Sequence, residues 1–469
     1  RQGLVALVSH PVLGAQAGVE MFRSAFSKAN FDRWIYEMRE SPRYEVMNEA
    51  GLSITDPHSP FLAAKEEAFM NNTAEKIPLI GKLISGSERA YVMFLNKMRV
   101  DIFNQFADAF EAQGKTIENS PDLYKAMANL INAETGRGKL GKLEEAAPVL
   151  NTVLFSPRLI ASRLNLLTNW ANPYFYRNTP KEIREAYMKD MIRFIGLGMT
   201  ILALFSLGGG SDDDEDKVNV ETDPRSSDFG KIKMGNTRWD IWGGFQQYIR
   251  VFTQIALGQK KSAMSGEIQE LDGEGRFGEN RGNVALRFAR GKLAPVPSMA
   301  VDFFSGRNIV GEEVTVKDQA ISHLTPLVIT DTYNAVKNDG IKAIFTTGIP
   351  AAFGIGVQTY EQRKPTIPES IQYKGVTVEL NEPQSKFFKE KAEKYIEDVT
   401  TRLKGLPVYK GADAKTKKEI EKFAVSEAIT KAKKEMINKF ESSISEMTKE
   451  ERKKKEEKDR MKKNLKKSL

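Results

Sequence analysis

Cysteine and histidine, which often act as nucleophiles or metal ligands, are scarce in this 469-residue chain. There is no cysteine, which excludes thiol nucleophiles, disulfides and cysteine-ligated zinc or iron–sulfur sites. The three histidines, His10, His58 and His323, lie far apart, and none belongs to a His-Glu-x-x-His pattern. A Gly-x-Ser-x-Gly nucleophile motif is also absent. We therefore predict no cofactor, no metal site and no catalytic residue.

Carboxylates on predicted helices are the remaining candidates for acid–base catalysis. Two such groups that flank a glycosidic bond can hydrolyse a glycan. The spacing singles out no pair, and glutamates commonly lie on solvated helix faces. A cell-wall hydrolase is therefore kept only as an alternative function. The glutamates considered are Glu88, Glu111, Glu134, Glu144 and Glu145.

A glycine-rich run at 136–142 matches the first seven positions of a phosphate-binding loop. Leu143 stands at the eighth position, where a hydroxyl is needed to hold Mg²⁺, and no strand is predicted before the run. We interpret the run as a basic linker. Its cations, Arg137, Lys139 and Lys142, are still candidates for contact with phosphate.

An acidic run at 212–216 resembles the start of a calcium-binding loop. Asp212, Asp214 and Asp216 occupy its first, third and fifth positions. Lys217 stands where glycine is required, and Asp223 stands where glutamate is required. We interpret this run as a flexible acidic loop.

The net charge of +8 is concentrated at one end of the chain. The segment from Lys410 to Leu469 contains 20 basic and 12 acidic residues, so the preceding 409 residues are neutral overall. Such a basic end predicts non-specific contact with DNA phosphates. The lysines considered are Lys453, Lys454, Lys455, Lys462, Lys463, Lys466 and Lys467.

Two windows of eighteen residues carry no charge, at 194–211 and 343–360. Eighteen residues is at the lower limit of what spans hydrocarbon, and five glycines weaken the first window further. The second window contains three glycines and Pro350, so it cannot be a plain spanning helix. A buried core helix followed by an acidic loop is the alternative, and the two are compatible if the protein rearranges. The membrane candidates are Phe194, Ile195, Leu197, Ile201, Leu202, Leu204, Phe205, Leu207, Ile344, Phe345, Phe353 and Ile355.

Helical periodicity dominates the elements that must position these residues. Apolar residues recur every three or four positions over 19–38 and 87–110. Ser59-Pro60, Ser120-Pro121 and Ser156-Pro157 predict helix starts, with the serine hydroxyl as the cap. Another helix is predicted over about 383–403, capped by Asn381.

Two short segments alternate apolar and polar residues around a two-residue turn, at about 231–241 and 371–380, which predicts β-hairpins. No glycine or proline occurs at 415–469, and one long helix or two is predicted there. Its narrow apolar stripe suits packing against a partner helix. The stripe contains Ile420, Ala424, Ala428, Ala432, Met436, Phe440, Ile444 and Met447.

The predicted fold class is all-α: an elongated multi-helix assembly with two small hairpins and a long C-terminal helix. We divide the chain into a helical region at 1–190, then an uncharged helix, acidic loop, hairpin and helix at 191–300. A second uncharged glycine-rich region follows at 301–363, then a hairpin and helix at 364–410. The basic helical arm occupies 411–469.

An ordered set of short motifs adds a family resemblance. It begins with Ser85-Gly86-Ser87-Glu88-Arg89-Ala90-Tyr91 and continues through Gly136-Arg137-Gly138, Phe155-Ser156-Pro157-Arg158 and Gly235-Asn236-Thr237-Arg238-Trp239-Asp240-Ile241 to Gly356-Val357-Gln358-Thr359-Tyr360. Taken in this order, the set resembles a large polyvalent-protein-associated domain of bacteriophages, over roughly 77–384. That domain commonly forms the C-terminal part of very long phage proteins, which are similar in setting to internal virion, or ejection, proteins.

The resemblance implies a protein that is packaged with the genome, resides in the capsid or tail lumen, and reaches the host envelope after ejection. Its expected partners are portal, tail and other internal virion proteins, phage DNA and the host membrane. Because residue 1 is Arg, we expect the chain to be part of a longer polypeptide. A fixed component of the portal–tail barrel and a DNA-binding module are two further hypotheses. The resemblance implies no catalytic residue.

Overall fold

The computed structural model describes residues 2–55, 80–207, 218–234, 237–263, 266–273, 279–294, 297–299, 301–302, 356–359, 367–374, 376–412 and 414–468. Over these residues the fold is mostly helical with small antiparallel strand pairs, which confirms the predicted fold class. The described residues up to 359 belong to one compact unit, and those from 367 onward belong to a second unit.

The first unit begins with four helices: α1 (Leu4–Ser9), α2 (Pro11–Phe26), α3 (Lys28–Arg39) and α4 (Tyr44–Ala50). Ser27 separates α2 from α3 because its backbone is extended and its hydroxyl accepts a hydrogen bond from the Asn30 amide at 3.2 Å. The single helical pattern over 19–38 therefore corresponds to two helices.

The core of the first unit is built around α5 (Ile80–Glu111) and α6 (Pro121–Glu134). Helix α5 also packs against α2. The apolar face predicted over 87–110 is confirmed, since Leu95, Met98 and Ile102 are fully buried. Arg99 is also fully buried, and its guanidinium donates to the Thr135 hydroxyl at 2.8 Å and the Thr135 carbonyl at 3.1 Å. This pairing joins α5 to the end of α6, where the glycine-rich run begins.

Further helices of the first unit follow α6. They are α7 (Ala147–Val153), α8 (Pro157–Thr168), α9 (Pro173–Asn178), α10 (Lys181–Leu207), α11 (Gln246–Leu257) and α12 (Arg281–Arg290), with 3₁₀ turns at Gly141–Leu143 and Asn169–Ala171. The predicted starts of α6 and α8 are confirmed. The predicted caps are wrong, because neither Ser120 nor Ser156 makes a side-chain capping hydrogen bond. Ser156 adopts φ 53°, which turns the chain before α8.

A four-stranded antiparallel sheet in the order β1-β2-β3-β6 contains the first predicted hairpin. Its strands are β1 (Val218–Val220), β2 (Ile232–Met234), β3 (Thr237–Asp240) and β6 (Gly356–Thr359). Ile232 pairs with Trp239, and Met234 pairs with Thr237, as a two-residue turn requires. A separate pair, β4 (Gln259–Lys261) with β5 (Ile268–Glu270), follows α11. The sequence patterns did not predict β1, β4, β5 or β6.

The second unit packs the other predicted hairpin, β7 (Ser370–Tyr373) with β8 (Val376–Glu379), against helices that follow it. These helices are α13 (Glu382–Gly405), α14 (Pro407–Lys410), α15 (Ala414–Lys439) and α16 (Glu441–Ser468). Asn381 caps α13, since its side chain accepts from the Gln384 amide at 3.1 Å and the Gln384 side chain accepts from the Asn381 amide at 3.0 Å. This reciprocal pair is a capping box.

Candidate functional site

The first half of α10 is amphipathic, and its apolar side anchors the helix in the first unit. Ile183, Tyr187 and Met191 are buried there. The Tyr187 hydroxyl donates to the Leu166 carbonyl at 2.7 Å, and its ring lies 5.2 Å from that of Phe175 on α9. These contacts fix the orientation in which the rest of the helix continues.

The second half of α10 packs on aromatic rings from β3 and from the turn before α11. The Phe194 ring lies 5.7 Å from that of Trp242 and 5.4 Å from that of Phe245. The Phe205 ring lies 6.1 Å from that of Trp239 on β3. One side of the helix is thus held by rings that the first hairpin and its following turn supply.

Close approach of α10 to Trp242 requires glycine at position 198. A Cβ atom on Gly198 would lie 2.5 Å from Cζ3 of Trp242, well inside contact distance. The indole cannot easily move away, because its Nε1 donates to the Gly230 carbonyl at 2.9 Å. One of the glycines in this uncharged window is therefore a packing residue.

The other side of α10 exposes an apolar surface, which we call the α10 face. Leu204 is 63% exposed, Met199 57% and Ile192 64%. No charged residue occurs between Phe194 and Leu207. Exposed apolar surface of this kind marks a site that meets a partner or a membrane. The members of the face are Ile192, Ile195, Leu197, Met199, Leu204 and Leu207, which are all exposed.

By length and composition, α10 meets the requirements for crossing a membrane. The core helix of a soluble protein passes the same test, but such a helix is mostly buried. Only 28% of the most apolar window of α10 is buried inside the protein. The low burial therefore distinguishes α10 from the core helix of a soluble protein.

Groups suited to a lipid headgroup region occur on α10 and on the segment that packs against its first half. Lys189 and Arg193 are exposed on α10 just before the uncharged stretch. Trp170 and Tyr174 are exposed on the segment around the start of α9, whose Phe175 packs against α10. Tryptophan and tyrosine concentrate at membrane interfaces because their rings are apolar and their N–H or O–H groups are polar.

The sequence-predicted membrane residues separate into three groups. Phe194 and Leu202 are buried, and Ile201 and Phe205 are half-buried, so these four hold the helix in place. Ile195, Leu197, Leu204 and Leu207 lie on the α10 face. The second window's candidates, Ile344, Phe345, Phe353 and Ile355, lie outside the described residues, although part of that window forms β6.

Sequence reasoning missed four residues of this surface and its surroundings. Ile192 precedes the uncharged window, and Met199 lies within it but was not among the candidates. Trp170 and Tyr174 gave no signal beyond their place in the helical region. Exposed aromatic residues can be recognised only after the fold shows which sides are covered.

The glycine-rich run at 136–142 is packed closely against α8. A Cβ atom on Gly138 would lie 2.5 Å from Cα of Ser162, and the Gly138 amide donates to the Arg158 carbonyl at 3.0 Å. Arg137 is buried at 8% exposure, whereas Lys139 and Lys142 are exposed. Of the three predicted phosphate contacts in this run, the structure places two on the surface.

The apolar stripe of the basic C-terminal segment packs within the second unit. Ala428 is buried on α15, and Ala432 and Met436 of the same helix share one core with Phe388 and Ala392 of α13. The stripe is therefore covered largely by this chain's own α13. The other members are Ile444, which is buried in that core, Phe440 and Met447, which pack against it, and Ile420 and Ala424, which are half-buried.

The predicted DNA-contacting lysines all belong to α16, beyond the part of that helix that packs into the core. Lys453 and Lys454 are exposed, and Lys454 forms an ion pair with Glu451 at 2.7 Å. The other five candidate lysines also belong to α16, and their side chains are outside the described part of the structure. These are Lys455, Lys462, Lys463, Lys466 and Lys467.

No protein-family model, curated protein or solved structure matches this chain. Function is therefore inferred from the geometry above and from the motif resemblance.

Proposed function

We propose that this is a virion-internal phage protein, delivered with the genome, that contacts the host membrane through the α10 face and assists DNA translocation across the envelope. The exposed α10 face is the observation that carries the membrane part of the proposal. The ordered motif resemblance supports the phage setting. The protein is proposed to have no enzymatic activity.

The energetics favour transfer of the α10 face into lipid. Each fully transferred Leu, Ile or Met side chain contributes about 1.5–3 kcal/mol, and the face presents six such residues. Lys189 and Arg193 add about 1 kcal/mol each near an anionic surface. Because the helix satisfies its own backbone hydrogen bonds, the apolar half can enter hydrocarbon without exposing unpaired amides.

Delivery through a phage tail requires a chain that can unfold and refold. The sequence contains no cysteine, so no disulfide opposes unfolding. The lysines of α16 supply contacts to DNA phosphates that do not depend on base sequence.

A fixed component of the portal–tail barrel is the second candidate function. Its sequence argument is a partner helix on the C-terminal apolar stripe, and this chain's own α13 covers much of that stripe. A copy number that matches the portal ring, with the protein retained after DNA release, distinguishes this candidate from an ejected protein. A cell-wall hydrolase is the third candidate, and hydrolysis of peptidoglycan by the chain is its test.

Liposome flotation tests the membrane part of the proposal. The chain is expected to float with anionic vesicles, and Leu204→Asp is expected to reduce the floated fraction because it places a carboxylate on the α10 face. Leu286→Asp is the matched control, since Leu286 is 70% exposed on α12. Leu202 is a poor probe because it is buried and its replacement disturbs the fold. Equal flotation of the two variants contradicts the proposal.

Mass spectrometry of purified virions tests the ejection part separately. The protein is expected to be present in filled particles and absent after DNA release. Retention in emptied particles rules out ejection and favours the fixed structural role.

A further inference from the structure

Three side chains able to ligate a metal meet at one point of the first unit, although they are distant in sequence. His10 follows α1, Glu134 is the last residue of α6, and Asp190 lies on the buried side of α10. One potential ligand atom from each residue lies within 4.8 Å of the others. The cluster therefore joins three separate helices.

The two carboxylates of the cluster are buried, His10 is half-buried, and the hydrogen bonding is incomplete. Glu134 is 3% exposed and Asp190 is 2% exposed. Glu134 Oε1 and His10 Nε2 are buried atoms without a hydrogen-bond partner in the described part of the chain. An unsatisfied buried oxygen of this kind costs about 1–3 kcal/mol, more if it is charged. Its retention at a point where two other ligands converge points to a positively charged ligand.

The nearby charges do not satisfy these two atoms. Arg193 Nη1 lies 3.4 Å from Asp190 Oδ1, but the Arg193 side chain is half exposed. A hydrogen bond joins the side chains of Glu134 and Asp190, and Glu134 Oε1 is still without a partner among the described residues.

We infer that His10, Glu134 and Asp190 form a binding site for a divalent transition-metal ion of the Zn²⁺ or Mn²⁺ class. One imidazole nitrogen with two carboxylate oxygens suits these ions better than Ca²⁺ or Mg²⁺, which prefer oxygen ligands alone. Bonds of about 2.1 Å at tetrahedral angles place neighbouring ligands about 3.4 Å apart, so each ligand atom moves by up to about 1 Å to reach one ion.

The bound ion has a structural consequence. It fixes the end of α1 to α6 and α10, and so ties the first described helix to the helix that carries the α10 face. The site is independent of the proposed function. The sequence predicted no metal site because the histidines are scattered. This cluster contains one histidine, His10, and its other two ligands are carboxylates.

A water molecule is the competing occupant. Glu134 also borders a cavity of about 10 Å³, which is about the space for one water. Neither His10 nor Asp190 lines this cavity. Water can satisfy Glu134 Oε1 there, but it does not account for the convergence of the other two ligands.

Titration calorimetry of the full chain, first stripped with a chelator, tests the site with Zn²⁺ and Mn²⁺ in turn. One ion is expected to bind per chain, and the thermal unfolding midpoint is expected to rise with metal concentration. Glu134→Gln and Asp190→Asn are each expected to weaken binding at least about tenfold. Asp122→Asn, an exposed change on the same helix as Glu134, is the control and leaves binding unchanged.

Cobalt spectroscopy of the unaltered chain avoids dependence on the folding of variants. Co²⁺ is expected to give visible absorption bands that differ from those of the aqueous ion and that disappear when excess Zn²⁺ is added. Absence of binding by the stripped chain, or binding that both Glu134→Gln and Asp190→Asn leave unchanged, overturns the inference.

Discussion

At the residue scale, Gly198 decides how closely α10 packs. It is buried against Trp242, whereas a Cβ on Gly196, two residues earlier, meets nothing within 4 Å in the described part of the chain. The two glycines look alike in the sequence. Only the fold shows that one is required for packing and that the other is not.

We expect Gly198→Ala to lower the free energy of unfolding by about 1–3 kcal/mol, because the added methyl group must displace the indole of Trp242. Gly196→Ala is expected to raise it by up to about 1 kcal/mol, since alanine favours the helix and its methyl group meets no described neighbour. Urea unfolding followed by tryptophan fluorescence measures both. Similar effects of the two substitutions contradict the packing described here.

Lys292 provides a residue-scale test by pH. Burial, followed by the charges of Arg163 and Arg250, lowers the pKa of Lys292 from 10.5 to about 8. Its Nζ donates to Gln247 Oε1 at 2.7 Å and lies over the rings of Tyr248 and Phe288. The charged form of this side chain is therefore less stable in the folded chain than in the unfolded chain.

Between pH 8 and 10.5, the unfolded chain binds the Lys292 proton and the folded chain does not, so stability rises with pH in this window. Relative to Lys292→Met, the unfolding free energy of the unaltered chain is expected to rise by about 2 kcal/mol from about pH 7 to about pH 9.5. Urea unfolding at both pH values measures the difference. A difference that does not change with pH contradicts the lowered pKa.

At the element scale, helices and hairpins were predictable where a local pattern decides them. The Asn381 cap, the α5 periodicity and both hairpin registers depend on neighbouring residues, and each is confirmed. The strands β1 and β6 could not be predicted, because they are short and their pairing is not set by a local turn. The serine caps were wrong because neither Ser120 nor Ser156 has the extended backbone that a capping residue typically adopts.

The α13 cap gives an element-scale prediction. Asn381→Ala removes the acceptor for the Gln384 amide and is expected to destabilise the second unit by about 1 kcal/mol. Asn381→Asp retains a cap and is expected to preserve stability. Urea unfolding followed by circular dichroism measures both variants, and an unaffected alanine variant contradicts the role of the cap.

The candidate site was predictable only in part, because the sequence pattern identifies the helix but not which of its sides is covered. The uncharged window identified α10, but its hydropathy could not separate Leu202, which packs inward, from Leu204, which is exposed. The metal-ligand cluster could not be predicted at all, since His10, Glu134 and Asp190 meet only through the packing of three helices.

At the scale of the whole molecule, charge and apolar surface lie in different units. The net charge of +8 lies beyond residue 409, whereas the α10 face belongs to the first unit. The basic segment is also divided, because α15 and the start of α16 contribute to the second unit's core. Deleting all of this segment therefore removes core residues as well as charge.

Replacing the seven candidate lysines of α16 with glutamine is a cleaner test of DNA binding. The affinity for DNA is expected to fall, and the slope of log affinity against log salt is expected to flatten by about 0.9 for each phosphate that is no longer neutralised. Fluorescence anisotropy over a salt series measures the slope. The comparison is a double variant, Lys139→Gln with Lys142→Gln. If only this double variant changes the slope, the DNA contact belongs to the glycine-rich run and not to α16.

The membrane role of the α10 face is the central claim, and a single reporter tests it most directly. Because the chain has no cysteine, Leu204→Cys and Leu286→Cys can each carry one environment-sensitive fluorophore. With anionic vesicles, we predict a blue shift and quenching by lipid-borne quenchers at position 204 but not at position 286. An unchanged spectrum at 204, or the same response at both positions, would contradict the claim.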